Sequence, residues 1–312
     1  MPPPVRNIWF FADCRTSNAT AVKFAVELAK RHGAAITFLS VIEAPGERLL
    51  RSPQALDMMS MHAAEDKRRQ LLEMEMEARS ALPPERVHHV VLQGDVGWHT
   101  LTRHVVKQSP DLVVVAARDA RSTATFGSVS HHLFRKCPVP VWSIPSDLHD
   151  FPMRALIALQ PGEHSSDQRM LSREILRLAV KLTAGTGIEL HAGHAWELWG
   201  ERMIESKYGE QRTRPLLALQ QEYARESMEQ LLTEARCKEL LAGVHYVKGE
   251  PGDALPKLAS DIGAEILFLG SAARSRLEGF FIGSVAETII ERLTCSALVV
   301  KRPGFVSPVN AA

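Results

Sequence analysis

The sequence feature that most constrains the fold is an internal repeat with a period of about 155 residues. In the first half, the segment DLVVVA (111–116) is followed by a loop, GSV (127–129), a helical segment and Cys137. In the second half, EILFLG (265–270) is followed by a loop, GSV (283–285), a helical segment and Cys295. The shared order of features predicts two copies of one structural unit.

Length and composition agree with two folded domains. The chain has 312 residues, of which 45% are hydrophobic and 23% are charged, while a domain holds roughly 150 residues. These values exclude a disordered, collagen-like or coiled-coil chain. We expect an N-terminal domain over residues 1–146, a linker at about 145–152, a C-terminal domain over 152–304 and a tail over 305–312.

Charge and apolar runs exclude several classes of partner. Lys and Arg (37) nearly balance Asp and Glu (36) without a dense basic run, so nucleic acid and anionic membranes are not expected partners. The apolar runs are far shorter than the roughly 18 residues of a membrane span, and no secretory signal pattern opens the sequence. We therefore expect a cytoplasmic protein. The four cysteines form no CxxC pair and are read as reduced thiols.

Short apolar runs alternate with helical patterns in both halves, which predicts parallel sheets with right-handed crossovers. Helices of the second half are predicted to begin near Asp167, Arg214, Asp253 and Ser284. The fold class is α/β, with two tandem doubly wound, Rossmann-like domains that each hold a five-stranded parallel sheet. The predicted strands are 8–12, 35–41, 87–92, 112–116 and 139–144 in the first half, and 155–159, 188–195, 244–248, 266–270 and 297–300 in the second.

A small-molecule site is expected outside the carboxyl ends of the strands, where the strand order reverses. In the second half, Gly270, Ser271 and Ala273 follow the fourth strand, and Gly283 and Ser284 open the next helix. Small residues let the backbone approach a phosphate, and free amides at the helix start attract an anion. The hydroxyls of Ser271 and Ser284 add hydrogen-bond donors.

Residues 270–287 (GSAARSRLEGFFIGSVAE) resemble the loop of the universal stress protein family: Gly, two residues, Gly, nine residues, then Gly-Ser/Thr. The tandem layout is similar to that of the family's two-domain members. The resemblance implies a fold of the adenine nucleotide alpha hydrolase type that binds ATP or another adenine nucleotide, alone or with Mg²⁺. It places phosphates and ribose at the loop and adenine beside the first and second strands. The residues implied in the second repeat are Gly270, Ser271, Ala273, Gly283, Ser284, Val285, Leu159, Gln160 and Ala195.

Each repeat departs from the family pattern at a different point. In the second repeat, Ala273 stands where the family has its second glycine, and Gln160 stands where an acidic residue is usual. The first repeat has the acidic residue as Asp13, but residues 116–126 contain no glycine. Because Ala cannot easily restore a positive φ, we expect nucleotide in the second repeat, with the first as a degenerate partner.

Other motifs favour structural roles. HAGH (191–194) matches a nucleotidylyltransferase signature but falls within a predicted strand, and neither His191 with His194 nor His88 with His89 has a third ligand at a metal-site spacing. We therefore assign no catalytic residue and no metal ligand. Methionines 58, 59, 61, 74 and 76 could form an adaptable apolar surface for a ligand or partner, but we expect them to pack in a core, with Leu71, Leu72 and Met76 on one helix face. Cys137 and Cys295 are expected to be buried.

Three functional hypotheses follow. The first is a stress-response binding or regulatory protein that holds an adenine nucleotide or an apolar metabolite. The second is an enzyme that hydrolyses ATP or transfers an adenylyl group, with Glu278, Glu287 or a histidine as acid or base. The third is a scaffold that binds no nucleotide. The edge strands 139–144 and 297–300 are expected to pair as an intramolecular pseudo-dimer, and a homodimer stays open.

Overall fold

A computed structural model of the chain describes residues 5–12, 19–43, 53–94, 96–117, 126–148, 150–162, 166–271 and 283–309, without the side chains of 53–57, 59–60 and 166. Two compact units divide these residues. The N-terminal unit contains residues up to 151 together with 305–309, and the C-terminal unit contains 152–271 and 283–304. In the N-terminal unit, Ser307 Oγ donates to the Lys136 carbonyl at 2.8 Å and Val309 is buried.

The N-terminal unit is a parallel sheet in the order β3-β2-β1-β4-β5. Its strands are mostly apolar where both faces are covered: Phe10, Phe38 and Val114 have no exposed surface, as expected of parallel strands between helices. Helix α1 ends before Gly33, which adopts a φ of +63°, the left-handed conformation that ends many helices. The elements are β1 Asn7–Phe11, α1 Ala19–His32, β2 Ala35–Glu43, α2 Pro53–Ala81, β3 Val87–Gly94, α3 Gly97–Gln108, β4 Leu112–Ala116, α4 Ser128–Lys136 and β5 Val141–Ile144.

The C-terminal unit repeats this topology, with a parallel sheet in the order β10-β9-β6-β7-β8. Phe268 and Leu298 lie in its core. The α/β fold with doubly wound parallel sheets is therefore confirmed. The elements are β6 Arg154–Ala158, α5 Ser166–Thr183, β7 Glu189–Trp196, α6 Glu201–Tyr208, α7 Glu210–Ala235, β8 Gly243–Lys248, α8 Pro251–Asp261, β9 Ile266–Ser271, α9 Ser284–Arg292 and β10 Ser296–Lys301.

One predicted helix is replaced by two. The helix expected to begin near Arg214 begins at Glu210, and the separate helix α6 precedes it. Helix α6 is eight residues long and buries none of its residues, so it offers only about two turns in which sequence periodicity could be recognised.

The predicted core role of the methionines is wrong for most of those whose side chains are described. Met74 is buried, whereas Met58, Met61 and Met76 are 61%, 63% and 73% exposed. The buried face of α2 contains Leu71, Met74, Glu75 and Ala78, which follow the i, i+3, i+4, i+7 spacing. Leu72 and Met76 point to solvent because one residue along a helix is a rotation of about 100°.

None of the helices in the described residues is both long enough and apolar enough to cross a bilayer. Cys137 and Cys295 are buried, as predicted. Burial raises the pKa of the Cys295 thiol to about 12.

Candidate functional site

The strand order of the C-terminal unit reverses between β6 and β9. Strand β6 pairs in parallel with β7 on one side and with β9 on the other, so the carboxyl ends of these strands lie at the same edge of the sheet. In doubly wound sheets this crevice is the usual ligand site.

A cavity of ≈ 200 Å³ opens at this crevice. Its walls come from the carboxyl ends of β6, β7 and β9 and from helices α5, α8 and α9. The lining residues are Ala158, Leu159, Gln160, Gln168, Leu171, Ser172, Ile175, His194, Ala195, Pro251, Leu255, Leu269, Gly270, Gly283, Ser284, Val285, Ala286 and Ile289.

The interior of the cavity is largely apolar, because α5 packs directly on the end of β9. A Cβ atom at Gly270 would lie 2.6 Å from Leu171 Cδ2 and 3.0 Å from Ile175 Cδ1. A glycine at this position therefore allows the helix and the strand end to approach, and any side chain there would displace Leu171. The resulting wall suits the face of a ring or another flat apolar group.

His194 brings a polar group to this apolar wall. Its Nδ1 lies 3.1 Å from the carbonyl of Leu159 and donates to it, which leaves Nε2 as the acceptor nitrogen of a neutral imidazole. Burial lowers the pKa of His194, so the ring stays neutral at physiological pH. A ligand that fills the cavity can therefore meet a hydrogen-bond acceptor.

The end of β6 is fixed to α5 by Ser172. Its hydroxyl donates to the Gln160 carbonyl at 3.0 Å and accepts from the Gln160 amide at 3.3 Å. These bonds satisfy the backbone of Gln160, so its side chain is the part that can contact a ligand.

Helix α9 presents its N-terminus to the cavity. The N-cap residue, Gly283, makes no side-chain capping bond, and the first amide bonded to its carbonyl is that of Glu287 at 3.0 Å. The amides of residues 284–286 therefore lack intrahelical acceptors. Together with the positive end of the helix dipole, they form a site suited to an anion.

The structure brings together most residues predicted for nucleotide binding, and their role stays a prediction. Leu159, Gln160, Ala195, Gly270, Gly283, Ser284 and Val285 all line the cavity. Ser271 does not: its buried hydroxyl accepts from the Lys301 ammonium at 2.9 Å. Strand alternation accounts for this, since Ser271 follows Gly270 and points to the opposite face. Ala273 lies outside the described residues.

The HAGH segment does not form a joint histidine site. His191 and His194 are on opposite faces of β7, and His191 Nδ1 instead lies 3.0 Å from His245 Nε2. In the other unit, His89 pairs with the buried carboxylate of Glu75 at 2.5 Å. Among the residues that the structure describes, no group of three or more His, Cys, Asp or Glu side chains is placed to hold a metal.

The N-terminal unit differs at the equivalent positions. Phe11 pairs with Leu39 across β1 and β2, as Ala158 pairs with Gly193 across β6 and β7. Large side chains thus replace small ones at the strand ends. A Cβ atom at Gly97 would lie 3.4 Å from Phe11 Cζ, so the Phe11 ring reaches the start of α3.

Helix α3, which corresponds to α8 and not to α9 in the order of elements, is capped at its start. The carboxylate of Glu43 accepts the Gly97 amide at 2.8 Å, which supplies a negative charge at a helix N-terminus from within the chain. Sequence reasoning placed the degeneracy of this copy in residues 116–126, of which 118–125 lie outside the described residues. It missed Phe11 and Glu43, because only strand register shows which positions of the two units correspond.

Fold and site together define a pair of doubly wound α/β units, with a cavity at the topological switch point of the C-terminal unit. Comparisons with known proteins give the same class. The model of the universal stress protein family matches residues 4–145 and 167–301. The chain therefore belongs to the universal stress protein family.

Individual relatives agree with this assignment. The chain is 28% identical over 240 residues to universal stress protein E of Salmonella typhi, covering 71% of this chain and 72% of that protein. It is 26% identical over 237 residues to universal stress protein E of Escherichia coli K12, with 71% and 72% covered. A universal stress protein structure from Archaeoglobus fulgidus has a TM-score of 0.63 at 20% identity, with 96% of this chain and 97% of that chain covered.

A second solved structure, a protein of unknown function from Pseudomonas aeruginosa PAO1, has a TM-score of 0.65 at 19% identity. The match covers 96% of this chain and 93% of that one. Both structural matches establish that the fold is shared over nearly the whole chain.

Proposed function

We propose that the C-terminal unit binds ATP or a related adenine nucleotide and that the protein acts in stress response as a binding or regulatory protein. The observation that carries the proposal is the convergence of the strand ends and of the α9 N-terminus on one cavity. An apolar wall beside the first amides of a helix matches a ligand with a flat base at one end and an anion at the other.

The size of the cavity indicates which part of the ligand it encloses. Its volume is ≈ 200 Å³, whereas pockets that enclose a whole drug-sized ligand measure roughly 300–1,000 Å³. The cavity therefore fits the base, held between Leu159, Ala195 and Ile289, and the phosphates extend to the amides of Ser284 and Val285. Gln160, which stands where the family has an acidic residue, faces the sugar.

The experiment is a calorimetric ATP titration of the full chain and of two matched valine variants. Gly283→Val places a branched side chain at the cavity edge of α9. Gly127→Val makes the same change at the N-cap of α4, which also precedes Ser-Val and makes no capping bond. We expect Gly283→Val to abolish ATP binding and Gly127→Val to keep the wild-type affinity.

Equal ATP affinities in both variants would contradict the assignment of the site to the C-terminal unit. Absence of ATP binding by the wild-type chain would count against the nucleotide and favour either an apolar metabolite in the cavity or a scaffold that binds no nucleotide. Steady ATP turnover with Mg²⁺, lost in a His194→Ala variant, would instead favour an enzyme.

A further inference from the structure

Two histidines of neighbouring strands meet on one face of the C-terminal sheet. His191 of β7 is paired in register with Gly243 of β8, and His245 is paired with Gly193. Because residues two apart on a strand share a face, both rings lie on the same side. His191 Nδ1 and His245 Nε2 are 3.0 Å apart.

Both nitrogens converge over the bare backbone of Gly243. A Cβ atom there would lie 2.8 Å from His191 Nδ1 and 3.2 Å from His245 Nε2. The missing side chain therefore leaves a small open position that is bordered by two ring nitrogens. Strand β8 is the outermost strand of this unit's sheet order, and the His191 side chain keeps 14% of its surface exposed.

We propose that His191 and His245 form a binding site for one late transition-metal dication, Cu²⁺ or Zn²⁺, with water completing the coordination. Ring nitrogens bind such metals at about 2.0–2.1 Å. Two nitrogens on one metal ion are therefore about 2.9 Å apart when the nitrogen–metal–nitrogen angle is a right angle and about 3.4 Å apart when that angle is tetrahedral. The observed 3.0 Å is closer to the right angle of tetragonal Cu²⁺, which is also the divalent metal that nitrogen ligands bind most tightly.

The surroundings of His191 fit a metal ligand. With Nδ1 on the metal, Nε2 carries the hydrogen, and in the described structure Nε2 is buried without a hydrogen-bond partner. The Glu189 carboxylate is 4.0 Å from it and is itself held by Arg154 at 3.0 Å. At 4.0 Å the carboxylate makes no hydrogen bond with Nε2, so its negative charge acts on a ligating imidazole only through space.

A hydrogen bond between two neutral imidazoles would give the same distance, so the test must separate the two explanations. The untagged full chain is titrated with Cu²⁺ alone by calorimetry and by electron paramagnetic resonance. We expect one site whose spectrum shows coupling to two nitrogens. His245→Gln should weaken it at least 10-fold and remove one nitrogen, while His88→Gln, at an exposed ring on β3, should change neither.

Gly243→Ala keeps both histidines and fills the position between them, so it should also weaken Cu²⁺ binding at least 10-fold. Circular dichroism checks that each variant is folded. Wild-type affinity in a His191→Gln/His245→Gln double variant, or a spectrum coupled to fewer than two nitrogens, would overturn the proposal. ATP titration of the double variant should match wild type, which separates this site from the nucleotide cavity.

Discussion

Replacing Ser271 by alanine distinguishes its predicted role in phosphate binding from the structural role that the fold gives it. The hydroxyl accepts from the Lys301 ammonium at 2.9 Å, and both side chains are buried, at 3% and 7% exposure. A hydrogen bond to a charged group contributes about 1.5–3 kcal/mol. We therefore expect Ser271→Ala to lower the free energy of unfolding by about that amount, which raises the unfolding equilibrium constant about 10- to 150-fold.

The assay combines urea unfolding with hydrogen exchange of peptides covering β9 and β10. Both strands should exchange faster in the variant, because the lost bond joins their ends. ATP affinity, measured by calorimetry, should stay within about twofold of wild type since Ser271 does not line the cavity. Ser284→Ala, at the cavity edge, is the comparison. A 10-fold loss of ATP affinity with unchanged stability in Ser271→Ala would refute this reasoning and restore the phosphate role.

Three further predictions concern His194 and Cys295. If Nε2 of His194 accepts from the adenine amino group, ATP should bind about 5- to 150-fold more tightly than ITP, because the carbonyl oxygen of hypoxanthine would place a second acceptor against Nε2 and leave both without a donor. His194→Ala should remove this preference, and a ratio of ATP affinity to ITP affinity that is the same in wild type and variant would count against it. Burial in the folded state lowers the pKa of His194, so the contribution of the neutral ring to stability is present above the usual pKa of about 6.5 and is lost as the pH falls below that value. Urea unfolding should therefore show a smaller fall in the free energy of unfolding between pH 7 and pH 5 for His194→Gln than for wild type. With a pKa of about 12, the Cys295 thiol should react with iodoacetamide only after denaturation, and peptide mapping that finds rapid native labelling would show that it is accessible.

Sequence reasoning predicted the fold well because the dominant signals are local. Strand β4 was predicted with its observed bounds, since a run of five apolar residues between helical patterns is typical of a buried parallel strand. Most cavity residues followed from the topological rule that strand ends meet at the switch point. The orientation of Ser271 was missed because alternation after Gly270 depends on how far β9 continues.

Contacts between distant segments could not be predicted. His191 and His245 are 54 positions apart, and only the register of β7 on β8 places them together. The size contrast between Ala158 and Phe11 was visible in the sequence. Its meaning depends on knowing that both residues end the first strand of their unit, where the side chain decides whether space remains.

The central claim, that one repeat keeps the nucleotide site, is tested most directly by hydrogen exchange of the full chain with and without saturating ATP. We predict slower exchange in the peptides that contain Leu159, Ala195 and the start of α9, and unchanged exchange around Phe11 and Gly97. Protection confined to the N-terminal unit, or ATP binding without protection of the α9 start, would contradict the account.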